Sequence, residues 1–188
     1  MPPLLNPTES ILLILDPRPE HLGRLDPSNR EPTTRKLTTA HRAAQLAKVP
    51  TYLASNGHFE PAKAWIGLAK PITIGNTHVL PPASVKWAES PLGVALAASD
   101  RSSLIMCGFW LECTVTFTAL TTIVEGLDVS VLLDATPHWL TDTKQPAIDQ
   151  LVQAGVVPTT TAQMIMEWVE AETSAPTKQQ LISLLSDL

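Results

Sequence analysis

The sequence predicts an α/β fold: a three-layer, Rossmann-like arrangement around a parallel sheet of strand order 3-2-1-4-5-6. Three observations carry this. Short, almost wholly apolar runs recur along the chain, as suits strands buried on both faces of a parallel sheet. Between them lie stretches with apolar residues at helical spacing. The connections are short, and alternating strands and helices joined this way cross over right-handedly into one sheet.

The first run, Ser10-Ile-Leu-Leu-Ile-Leu15, closes at Asp16-Pro17 and reads as a central strand. A Pro-rich, charged loop follows. Residues 34–48 then place Leu37, Ala40, Ala44 and Ala47 on one helical stripe. Residues 50–54 read as the second strand, ended by the turn Ser55-Asn56-Gly57. Residues 72–74 form a weak third strand, and Ser90-Pro91 opens a short helix to residue 98. Residues 103–107 make a buried strand stopped by Gly108. From 112 to 125 the pattern is helical, with Val115, Ala119 and Ile123 at spacing four and Gly126 at its end. A strand over 129–133 closes at Asp134. A helix over 143–153 ends at Gly155, and a short strand at 156–157 precedes a helix over 161–170. Beyond Pro176 an amphipathic helix carries Leu181, Leu184 and Leu185.

At 188 residues, with no repeat and no linker, the chain reads as a single domain over 1–188, within the usual range of about 100–200. With 44% apolar and 16% charged residues it can bury enough surface to fold. A net charge of −5 argues against a nucleic-acid partner, which selects clustered Lys and Arg. The longest apolar run falls far short of the roughly 18 residues of a membrane helix, and the first residues do not resemble a signal peptide. The expectation is a cytoplasmic protein that meets no membrane. Two cysteines, Cys107 and Cys113, are too few for a disulfide framework or a zinc site. The five histidines form no ligand pair, and the glycines form no phosphate cradle, so no metal and no cofactor is expected. The 17 prolines lie mostly between apolar segments, as loop stiffeners.

In a sheet of this order ligands bind beyond the C-terminal strand ends, where the order reverses between strands one and four. That places Asp16 and the Cys113–Thr114 region on two lips of one crevice. A carboxylate at the tip of a buried strand is partly desolvated, as suits a general acid or base, although Asp also commonly caps turns. Cys113 lies near a helix start, where unpaired amides favour a thiolate; free cysteine is otherwise a small buried hydrophobe, the role that suits Cys107. Trp110 and Trp87 are candidate pocket walls, with Leu111 beside them. Of the histidines, His58 and His21 lie closest in sequence to the crevice.

These residues resemble the isochorismatase-like hydrolases, also called cysteine hydrolases. Ser10-Ile-Leu-Leu-Ile-Leu-Asp16 is similar to the family's first strand and catalytic aspartate. Leu104-Ile-Met-Cys-Gly108, with Phe-Trp-Leu-Glu-Cys-Thr-Val115, resembles the strand, glycine and helix start that hold its nucleophile. The stretch from Thr118 to Val129 and on to Asp134-Ala135 resembles the next helix, strand and Asp-Ala ending. Trp87 and the helix from Met164 to Trp168 are most similar to a branch that forms dimers and octamers. The resemblance implies attack on an amide or imide carbonyl, with an aspartate base, a supporting lysine, a cysteine nucleophile, and a cis peptide ahead of it. Members that cleave isochorismate lack the cysteine and use the aspartate as an acid.

Two positions depart from that pattern. The family places its nucleophile two residues after the acidic residue that is Glu112 here, which lands on Thr114, with Cys113 one residue early. One residue on a helix is a rotation of about 100°. The family's basic residue falls near Leu80 or Pro81, and the nearest lysine is Lys86. The candidate catalytic set is therefore Asp16, Cys113, Lys86 and Thr114, acting on the C–N bond of a small amide or imide. The alternative is a degenerate member serving as a small-molecule binding or scaffold protein. Residues 55–71 and 75–89, poor in charge, suggest a small, neutral pocket. A C-terminal helix bearing Leu and Trp suggests a homo-oligomer.

Overall fold

The computed structural model describes residues 4–57 and 76–188. Its strands are β1 (Ser10–Leu15), β2 (Thr51–Ser55), β3 (Thr77–Val79), β4 (Ser103–Gly108), β5 (Asp128–Leu132) and β6 (Val157–Thr159). They form one six-stranded sheet in the order β3-β2-β1-β4-β5-β6, with every pairing parallel. The three-layer, Rossmann-like α/β architecture expected from the apolar runs is the one found.

The helices are α1 (Pro19–Arg24), α2 (Pro27–Leu46), α3 (Pro91–Ala97), α4 (Thr116–Val124), α5 (Lys144–Gln153), α6 (Thr161–Ala171) and α7 (Ala175–Ser183). Each residue of β1 is buried, and successive side chains feed opposite layers. Ile11, Leu13 and Leu15 pack with Leu92 of α3, Ala119 of α4 and Leu151 of α5. Leu12 and Ile14 pack with Leu37 and Ala44 of α2, Trp168 of α6 and Leu181 of α7. Each such Leu or Ile contributes about 1.5–3 kcal/mol by leaving water. This two-sided burial is why β1 reads as an unbroken apolar run.

Three segments differ from the sequence reading. The Pro-rich stretch after Asp16 is helical: α1 lies within it, and α2 begins at Pro27, seven residues before the expected start at 34. Asp26 caps α2 by accepting from the Ser28 amide, and Pro27 takes the first turn, where its missing N–H costs nothing. The polar run up to Glu31 hides that start because it turns no apolar stripe to the core. The third strand found, β3, falls within residues 75–89, read as loop, while residues 72–74 lie outside the described residues. Finally, Trp168, Leu181 and Leu184 of the C-terminal helices are buried in the chain's own core, while Met166 and Ile182 stay exposed.

The β4 end is shaped by Gly108, whose φ of +116° favours glycine. A Cβ here would lie 2.1 Å from the Leu15 carbonyl oxygen, so a side chain would drive β4 off β1 immediately before Asp16. The chain then passes through a cis peptide between Phe109 and Trp110 and a π-type turn at Leu111–Val115 before α4.

Candidate active site

Asp16 follows β1 in the left-handed region, at φ +46°, with its carbonyl accepting from the Arg18 amide across Pro17. Its amide donates to Ala54 of β2 at 2.8 Å, which fixes the side chain at the switch point of the sheet. The residue is only 2% exposed. Four donors converge on its carboxylate. The Asn56 amide N–H reaches Oδ1 at 3.1 Å, and Asn56 Nδ2 reaches Oδ2 at 3.1 Å. Thr114 Oγ1 donates to Oδ2 at 3.3 Å, and Arg18 Nη2 sits 3.1 Å from Oδ1. Asn56 Nδ2 also donates to Thr114 Oγ1 at 3.0 Å. Elements far apart in sequence, the ends of β1 and β2 and the turn after β4, thus close on one carboxylate.

Asn56, Trp87, Cys113 and Thr114 line a cavity of about 570 Å³, together with Leu80, Pro81 and Phe117. The apolar walls fit the small, neutral pocket expected from the charge-poor loops.

The candidate residues fall as follows. Thr114 touches Asp16. Cys113 is half-buried and lines the same cavity, but no described residue hydrogen-bonds its sulfur. The π-type turn directs the Thr114 hydroxyl, not the adjacent sulfur, to the carboxylate. Lys86 is displaced from the expected role: it is exposed and pairs with Glu89 at 3.1 Å, three residues on in a 3-10 turn. Among the described residues the cation on Asp16 is Arg18. Trp87 is a wall of the cavity. Leu111 is buried in the core against β1, and Trp110 faces a separate cavity beside Asp134. Cys107 is wholly buried, and burial pushes its thiol up. His58 lies outside the described residues.

Glu112 holds the site turn from outside. Its Oε1 accepts from the amides of Trp139 and Leu140 at 2.8 and 2.9 Å and from Thr143 Oγ1 at 2.9 Å. Burial works to raise this carboxyl, but these bonds outweigh it and hold it below the usual range.

Two residues of the site escaped the sequence reading. The sequence marks Asn56 only as a turn residue, although the switch-point rule places the end of β2 beside Asp16. Arg18 lay in a segment read as loop; the signal available was a cation two residues past a buried carboxylate. Among the described residues no three His, Cys, Asp or Glu side chains are grouped to hold a metal, and no helix is long and apolar enough to cross a membrane.

Residues 10–163 match the family model of the isochorismatase domain. A probable hydrolase of Escherichia coli K12, YcaC, is 29% identical over 113 residues, 60% of this chain and 54% of the relative, so the match spans about half of that protein. The crystal structure of the same E. coli gene product, described as an octameric hydrolase of unknown specificity, superposes with a TM-score of 0.72 and 20% identity, covering 99% of this chain and 98% of that one. YcaC from Pseudomonas aeruginosa, solved with hexane-2,5-diol and covalent acrylamide, superposes with a TM-score of 0.74 and 16% identity, covering 99% and 98%. At these identities the structural likenesses establish the fold alone.

Proposed function

The chain belongs to the isochorismatase family, and from that premise we propose that it hydrolyses the C–N bond of a small, neutral amide or imide, with Asp16 as its acid–base group and Thr114 as the proton relay. The observation that carries this is the hydrogen bond from Thr114 Oγ1 to Asp16 Oδ2, made at the wall of an apolar cavity.

A threonine hydroxyl is a weak nucleophile at neutral pH, but it passes protons readily. As water attacks the carbonyl, it gives a proton to Thr114 Oγ1 while the Thr114 proton moves to Asp16 Oδ2. The same two transfers then run in reverse, protonating the departing nitrogen, and the C–N bond breaks to leave acid and amine. Such general acid–base catalysis supplies about 10²–10⁴ in rate. In this reading Cys113 shapes the pocket and attacks nothing, in line with its register one residue off the family position.

A second reading, a binding protein without turnover, is favoured by one feature. The four donors on Asp16 occupy the roughly four lone-pair directions of a carboxylate, so a substrate proton enters only as one of these bonds exchanges. For the assembly we extend to this chain the self-association that the E. coli relative displays.

The deciding experiment is a panel of small amides and imides assayed with the wild type and with Asp16→Asn. Turnover that falls at least about 100-fold in the variant supports hydrolysis. Equal residual rates in both, with ligand still bound, leave the binding reading.

A further inference from the structure

Next to the saturated carboxylate lies a cluster with the opposite imbalance. Arg18 Nη2 sits 3.0 Å from His21 Nε2, and Trp110 Nε1 sits 3.0 Å from His21 Nδ1. The imidazole is held between them, stacked on Phe109 at 5.7 Å and edge-on to Trp110. Arginine and tryptophan only donate. A neutral imidazole has one lone pair and one N–H, so it accepts from one neighbour while pointing its own N–H at the other. A protonated ring would accept from neither.

His21 is the neutral form near pH 7. Burial pushes its pKa down, and the charges of Arg18 and Arg24 add to this against the opposing pull of Asp16 and Glu20. Arg18 Nε is also buried, and among the described residues it has no partner. The cluster therefore holds three N–H groups that it cannot satisfy itself: Arg18 Nε–H, the His21 ring N–H, and the neighbour's N–H that it faces. Buried N–H groups in native proteins are almost always paired.

We propose that Arg18, positioned by His21 and through it by Trp110, receives the carbonyl oxygen of a neutral amide or imide beside Asp16. The choice of ligand follows from the count. An oxygen acceptor supplies what the cluster lacks, whereas an amine brings further donors. A carboxylate is disfavoured because the Arg18 charge is already matched by Asp16 at 3.1 Å. The Arg18 side chain, 31% exposed, has room to turn from His21 toward a ligand, and His21 then gives its lone pair to Trp110. Arg18 is thus a substrate-binding residue, and His21 a positioning residue that holds Arg18 until substrate arrives. This inference rests on the hydrolase reading for its ligand class.

The test uses 2-pyrrolidinone, a lactam with the required carbonyl and no ready hydrolysis, titrated into ¹⁵N-labelled full-length protein. The Arg18 Nε–H and Trp110 Nε1–H resonances should both shift saturably, and Arg18→Lys, which keeps the charge but loses Nε–H, should weaken binding at least ten-fold. His21→Phe, which keeps the stack on Phe109, should alter the Arg18 signal before ligand is added. Absence of both shifts in the wild type, or an unchanged affinity in a folded Arg18→Lys, overturns the assignment. The wild-type shifts decide alone if that variant does not fold. Saturable shifts without turnover of any amide would leave this site standing and the hydrolase reading fallen. Turnover with an unchanged KM in Arg18→Lys would do the reverse.

Discussion

Thr114 donates to Asp16 Oδ2 at 3.3 Å while it accepts from Asn56 at 3.0 Å, so one hydroxyl joins the turn after β4 to the tips of β1 and β2. Thr114→Val keeps the shape and removes both bonds. A lost hydrogen bond to a charged, buried group costs about 1–3 kcal/mol, and loss of the relay should lower kcat/KM by about 10²–10⁴. Thr114→Ser should recover most of both. Steady-state kinetics with urea denaturation checks this, and wild-type kcat/KM in the valine variant would remove Thr114 from the chemistry.

The two cysteines should separate cleanly on treatment of the native protein with iodoacetamide. Cys107 is fully buried within β4 with its thiol pushed up, which disfavours the reactive thiolate. Cys113 is half-buried at a cavity wall. Peptide mass spectrometry should find one label per chain, on Cys113, and two after denaturation. Labelling that abolishes turnover while Cys113→Ala retains it would mark the adduct as a plug of the pocket. Loss of turnover in Cys113→Ala itself would instead restore the thiol to the mechanism.

Which parts of this site were legible beforehand follows from what each residue's signal depends on. Asp16 stands out because β1 is buried on both faces, so the charge that ends it interrupts an apolar run. The switch-point rule then reaches Thr114 and Cys113 without coordinates. It does not choose between them, since that depends on the π-type turn at Leu111–Val115, which leaves no mark in hydrophobic spacing. Distance along the chain points to Lys86, but at the 3-10 turn of Trp87–Glu89 it lies at the surface paired with Glu89. Arg18 and Asn56 carry no such signal, because their role is set by reach across strand ends, a three-dimensional relation that local composition does not encode.

Acid should destabilise the fold through His41. This α2 residue is 2% exposed, its Nδ1 has no partner among the described residues, and burial lowers its pKa from 6.5. With the folded value below the unfolded one, the unfolded chain binds more protons between the two. Stability is thus whole above pH 6.5 and falls as pH drops through that window toward the folded value. His21 and His78 shift the same way, each led by burial, and steepen the slope. Urea midpoints at about pH 7.5 and about pH 5.5 should differ in the wild type, and less so in His41→Leu. An identical difference in both proteins would clear His41 of the effect.

Gly108 and Gly23 make a matched pair for testing how tightly β4 is pinned beside Asp16. At Gly108 a Cβ meets the Leu15 oxygen at 2.1 Å and the Leu15 nitrogen at 2.8 Å, both backbone atoms of the central strand. Neither yields without moving the residue that carries Asp16, and the φ of +116° adds strain of its own. Gly108→Ala should therefore cost about 4 kcal/mol or more, in the range reserved for specific steric failures. Gly23, within α1, has no heavy atom within 4 Å of its added Cβ, and Gly23→Ala should stabilise by about 0.5–1 kcal/mol through helix propensity and a less flexible unfolded chain. Both are read from urea midpoints. A Gly108→Ala protein with the wild-type midpoint would mean that β1 and β4 do not approach as closely as the Asp16 site requires.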